Sequence, residues 1–198
     1  MPNKALILFK PSIWIRPWAV AELMEGLERI HGVRVITSGK LDADTMDLKI
    51  DRHYKKHSKN ALHFEKDSVG KEARELFQQK FGLDWDKCIV EGSGPDYSIV
   101  LWRELEKRND CIKLEDGLYV AKVSENRFVV NGFYASMRKQ YLRPSPYFTK
   151  YYVVEFDYDY SLFKEEVIGA TDPSKAHEKS LRGHLYHYWM NWLMERQP

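Results

Sequence analysis

A threonine in the turn Thr171-Asp172-Pro173 is followed eleven residues later by Arg182, and near the other end of the sequence Lys10-Pro11 closes a short apolar run. One hydroxyl and two cations suit phosphate oxygens. The hydroxyl donates a hydrogen bond, the guanidinium grips two oxygens at once, and the ammonium supplies a point charge. A triphosphate carries several negative charges, so a binder without a glycine-rich phosphate loop needs such groups to converge from separate elements. Gly92-Ser93-Gly94 runs straight into Pro95 and is neither a phosphate-loop nor a dinucleotide fingerprint. Plainer roles stand beside these: Lys10 as the wet end of a strand, Thr171 as a helix cap, Arg182 as a surface ion-pair partner.

The histidines offer acid–base chemistry. His184 and His187 lie three apart just beyond Arg182, and a neutral imidazole there could act as base or nucleophile. Alternatively "HLYHYWMNW" packs as an aromatic helix. His53 and His57 have the four-residue spacing of metal ligands, but Lys55, Lys56 and Lys59 surround them, so a solvated basic face is expected and no protein metal site. Glu155, Asp157 and Asp159 have the spacing of paired acids that could hold Mg²⁺ or a basic acceptor.

The elements that must position these residues read as α+β. "KALILFKP" predicts a buried first strand sitting centrally in its sheet, Pro17 starts an amphipathic helix that His31-Gly32 ends, and "VRVITSG" is a second strand. This opening resembles half of a ferredoxin-like sheet. Helices are expected over 42–60, over 68–82 from Ser68, within "YSIVLWRELEKRND" and over "YASMRKQYL"; the run from Trp85 to Pro95 reads as irregular. "GLYVAKVSENRFVVNGF" predicts a hairpin across Ser124-Glu125-Asn126, "KYYVVEFDYD" a strand and "SLFKEEVIG" a short helix.

Composition bounds the rest. Net charge is +2 over 198 residues, so no global field drives the chain onto nucleic acid or an anionic membrane, and any polyanion must meet local cations. Aromatic residues reach 14%, enough for stacking platforms or an interface. Two cysteines without a CxxC pair, and an N-terminal apolar run of five residues from Ala5 to Phe9, lead us to expect a cytoplasmic protein without membrane spans.

Phe9-Lys10-Pro11-Ser12, Gly169-Ala170-Thr171-Asp172-Pro173 and Ser180-Leu181-Arg182-Gly183-His184 together resemble the nucleotide site of nucleoside diphosphate kinases, in order and in spacing. The resemblance covers residues 4–64 and 130–187. It implies one domain over 1–198 with a ferredoxin-like antiparallel sheet, helices packed on it, and an insertion at 65–130. It further implies a bound nucleoside triphosphate carrying its own Mg²⁺, with Tyr54 near the phosphates and Phe133 or Tyr134 against the base, and assembly into a multimer. The family's route through a phosphohistidine finds Glu195 at the matching position, and Glu165 replaces one arginine. "ENRFVVNGFYAS" resembles the segment that carries the nucleophile, with Asn131 where the imidazole would stand, and an amide cannot take a phosphoryl group. The expectation is therefore direct phosphoryl or nucleotidyl transfer to an unidentified acceptor, with His184 as base and Lys10 and Arg182 stabilising charge. The contrasting expectation is an inactive nucleotide-binding or structural relative that acts through a protein partner.

Overall fold

The computed structural model of the chain describes residues 2–11, 17–142, 147–167, 180, 181 and 183. Along it run β1 (Asn3–Phe9), α1 (Pro17–His31), β2 (Arg34–Leu41), α2 (Ala43–His53), α3 (Lys55–Leu62), α4 (Lys71–Phe81), β3 (Ile89–Gly92) and α5 (Ile99–Lys107). They are followed by β4 (Cys111–Glu115), β5 (Leu118–Lys122), β6 (Arg127–Val130), α6 (Tyr134–Lys139), β7 (Thr149–Phe156) and α7 (Tyr160–Val167). Contacts divide the chain into a terminal unit, Met1–Lys40 with Lys150–Pro198, and a central unit, Leu41–Thr149. The expected insertion at 65–130 lies inside the central unit, which also takes in α2, α3 and α6. Among the described residues no helix is long and apolar enough to cross a membrane.

In the terminal unit the strands run in the order β1-β7-β2, with β1 antiparallel to β7 from Asn3 opposite Phe156 to Phe9 opposite Lys150. The expectation of a central, fully buried first strand is corrected here: β7 lies between β1 and β2. The reason is the period of two. Ile7 and Phe9 point into the core while Leu6, on the opposite face, is 47% exposed. Tyr152, Val154 and Phe156 alternate inward on β7 in the same way, and α1 adds Val20, Met24 and Leu27 to the same core. Pro17 opens α1 without losing an intrahelical donor, and Gly32, at φ +62°, takes the left-handed conformation that ends a helix.

The central sheet has the order β3-β6-β5-β4 and is mixed, not wholly antiparallel: β3 runs parallel to β6, while β6–β5 and β5–β4 are antiparallel. Both faces are covered. On one, Ala73 and Phe77 of α4 meet Leu118, Val120, Phe128 and Val130; on the other, Trp102 and Leu105 of α5 meet Ala121 and Val129. The α+β class holds throughout, and the hairpin across Ser124-Glu125-Asn126 is present as β5–β6. Two local readings are corrected. Ser68 closes a 3-10 turn by donating to the Glu65 carbonyl, and α4 begins after Gly70. The stretch read as irregular contains a second such turn, Trp85–Lys87, and the strand β3.

Candidate functional site

Lys10 directly follows the last residue of β1, and the neighbouring Phe9 is buried edge-on against Tyr152, ring centres 5.7 Å apart. Thr171, Arg182, His184 and His187 lie outside the described residues. Their neighbours are partly described: Leu181 is buried in the cluster that holds Ile7 and Phe9, and Ser180 Oγ accepts a hydrogen bond from the Gly183 amide at 3.1 Å. Two of the three acids at the end of β7 have other employment. Glu155 pairs with Arg34 and, at 3.9 Å, with Lys4, and Asp159 caps α7 by accepting from the amides of Ser161 and Leu162 at 2.8 and 3.3 Å. The Ser161 side chain first, then the amides of Ser161 and Leu162, hold the Asp159 carboxyl below its ordinary range by hydrogen bonding. The paired-acid reading of Glu155 and Asp159 therefore gives way to ion pairing and capping.

Tyr54, Asn131, Phe133 and Tyr134 all fall in the central unit and gather around α3. The first three meet at His57, which the sequence marked only as part of a basic face. Its ring stacks on Tyr119 (centres 6.1 Å apart, planes at 22°) and meets Phe133 and Tyr54 edge-on at 5.8 and 6.2 Å. Burial pushes the imidazole below its usual 6.5; Asp116 pulls it back up, and Lys113 and Lys56 oppose that pull. His57 is consequently neutral at pH 7.

Asn131 explains why the rings sit where they do. It follows β6 in the left-handed region, φ +53°, a conformation asparagine tolerates better than most residues, and is wholly buried. Its Nδ2 donates to the carbonyls of Gly117 (2.8 Å) and His57 (3.1 Å), and its Oδ1 accepts from the Tyr119 amide at 2.9 Å. One amide thus ties the β4–β5 turn to α3. Gly117, at φ +83°, is required in that turn, since a Cβ there would lie 2.5 Å from the Cβ of Lys56. Asp116-Gly117 between two β-prone runs was the sequence signal for this hairpin, and for the unread strand β4.

Tyr134 is also wholly buried, with its hydroxyl donating to Asp51, whose carboxylate also accepts from Arg138 Nε at 3.3 Å; Arg138 reaches Asp47 as well. Burial, then the hydrogen bond to Asp51, pushes the phenol well above its ordinary value. Tyr54 shares a 2.8 Å hydroxyl hydrogen bond with Tyr141. Of the two aromatics considered for a base, Phe133 retains exposed surface and Tyr134 has none. Among the described residues no three of His, Cys, Asp and Glu gather to hold a metal ion. His53 turns to the Tyr54 ring at 4.7 Å while His57 turns to Tyr119, so the four-residue spacing serves ring packing.

Compared with family models, with curated proteins and with solved structures, the chain matches none.

Proposed function

We propose that the terminal unit is a ferredoxin-like core of the nucleoside diphosphate kinase kind that binds a Mg·nucleoside triphosphate through Lys10, Thr171 and Arg182. The observation that carries the reading is the shared burial of Phe9 and Leu181, the chain neighbours of Lys10 and Arg182, in one cluster. Two chain segments distant in sequence thereby contribute to a common core. The order β1-β7-β2, with a helix between β1 and β2 and another after β7, supports the same reading because a split β-α-β pattern underlies ferredoxin-like sheets.

In this reading Lys10 and Arg182 neutralise phosphate oxygens as charge builds on them, and Thr171 donates a hydrogen bond. The acceptor's oxygen bonds to the transferred phosphorus as the bond to the leaving phosphate breaks, and the acceptor's proton passes to His184. The divalent ion arrives with the nucleotide. Calorimetric titration with Mg·ATP tests the site: Lys10→Met and Arg182→Met should each weaken binding about tenfold or more, the scale of a lost hydrogen bond to a charged group. Failure of the wild type to bind saturably, or indifference to both substitutions, would sink the reading.

A second reading, a relative that is catalytically inactive, gains from Asn131: the side chain matched to the nucleophile's position is a wholly buried amide committed to backbone carbonyls. Incubation with γ- and α-labelled ATP and candidate acceptors separates the two readings. Label that moves supports transfer; nucleotide that binds without any label moving supports the second reading.

A further inference from the structure

Between residues 49 and 59 five lysines and arginines stand against one acid, Asp51. That acid is engaged on the other side of α2 by Tyr134 and Arg138, and Asp47, one turn earlier on the same side, is also held by Arg138. Lys56 pairs with Asp116 and Lys59 with Glu65. Lys49, Arg52 and Lys55 are exposed and form no ion pair with any described residue. Asp47 and Asp51 are thus spent on Arg138, while Lys49, Arg52 and Lys55 are left without an ion pair among the described residues. His53 and Tyr54, which stand between Arg52 and Lys55 in the chain, begin a row of rings, His53 on Tyr54, Tyr54 on His57 and His57 on Tyr119, with neighbouring centres 4.7, 6.2 and 6.1 Å apart. His53 is exposed, the other three are partly exposed, and Lys113 Nζ lies 5.7 Å from the centre of the Tyr119 ring.

From this juxtaposition we infer that the α2–α3 face of the central unit binds single-stranded nucleic acid, with Lys49, Arg52 and Lys55 on consecutive phosphates and the ring row against the bases. Unopposed cations select a polyanion, and adjacent aromatic rings select one that carries flat bases. An acidic peptide or a lipid headgroup would use the charges and leave the rings idle. The overall charge of +2 conceals this face because the acids elsewhere in the chain are paired locally or dispersed. The site is independent of the nucleotide reading above.

Fluorescence anisotropy with labelled oligothymidylate of about 16 nucleotides, the upper site size of one small binding domain, tests it in the full chain. Binding should weaken as salt rises. Lys49→Gln, Arg52→Gln and Lys55→Gln combined should lower the slope of log affinity against log salt by about 2, three phosphates at ~0.7 each. Between about 50 and 200 mM salt the wild type should then lose about 20-fold more affinity than the triple variant. The variant should melt with the wild type, because none of the three side chains forms an ion pair with a described residue. An abasic strand of equal length, keeping the phosphates and lacking the bases, should bind about tenfold more weakly or worse. The inference is overturned if the strand does not bind, if the triple variant keeps the full slope, if the abasic strand binds equally, or if phosphatidylserine vesicles are bound and the strand is not.

Discussion

The terminal unit buries one face of a three-stranded sheet, whereas the central unit covers both faces of a four-stranded one and closes its rim with a polar staple. The contrast bears on what a motif is worth. Residues of the nucleotide-site resemblance occur in both units. In the central unit, Asn131 and Tyr134 have their polar atoms committed to holding backbone and helix in place. In the terminal unit, Lys10 stands at a strand end, a common position for ligand-binding side chains because the backbone hydrogen bonds stop there. A residue matched to a ligand site by sequence can thus be spent on structure, as Asn131 and Tyr134 are.

The largest expected effect probes the two-faced core. Phe77 is fully buried and meets Phe128, Trp85 and Phe81 with ring centres 4.6, 4.9 and 5.0 Å apart. Phe77→Ala should cost about 4 kcal/mol in chemical denaturation, the range for emptying a buried aromatic site. Hydrogen exchange sharpens the comparison: amides of Val120 and Val130 should exchange faster while those of Leu6 and Val154 change less. Equal acceleration everywhere would show that the division into units does not govern stability.

Next in size is Asn131→Asp. Aspartate keeps the shape and tolerates the left-handed backbone, so φ is not what changes. The substitution removes both Nδ2 donors and sets a carboxylate against the carbonyls of Gly117 and His57. Denaturation at pH 7 should show a loss of about 3 kcal/mol, partly regained in acid as the new carboxyl is protonated. Mg·ATP affinity should stay unchanged. Intact stability with lost affinity would return Asn131 to the ligand and reverse the comparison.

The sequence was most legible where apolar spacing ran longest. The helices α1, α2 and α5, the strand β7 and the β5–β6 hairpin all follow from periodicity and turn residues. β3 escaped because four residues, with Val90 as the one buried side chain, are too few to show a period. The ring cluster escaped for a different reason: His57 and Tyr119 are 62 positions apart and meet through a turn that Asn131 staples, which no local window reports. Tyr54, Asn131 and Phe133, which the resemblance marks, do converge on His57, while the division of the chain at Leu41 and Thr149, which cuts through both stretches of the resemblance, left no mark in composition.

The smallest expected effect concerns the hub itself. Folding lowers the His57 pKa below its usual 6.5, so between those two values the unfolded chain binds more protons than the folded one. The stabilising contribution is complete above the unfolded value and is lost as pH falls through the window beneath it. Relative to His57→Gln, the wild type should lose at most about 1.4 kcal/mol per pH unit there. Other histidines titrate alike in both proteins and cancel in the difference. Neighbouring charge sets the width: Lys113→Gln removes a cation and should narrow the window, whereas Asp116→Asn removes the opposing anion and should widen it. Urea titrations from pH 7 down to about 5 read all three differences. If burial dominates, the window survives both neighbour substitutions; its disappearance in Lys113→Gln would mean that charge, not the aromatic enclosure, keeps this imidazole neutral.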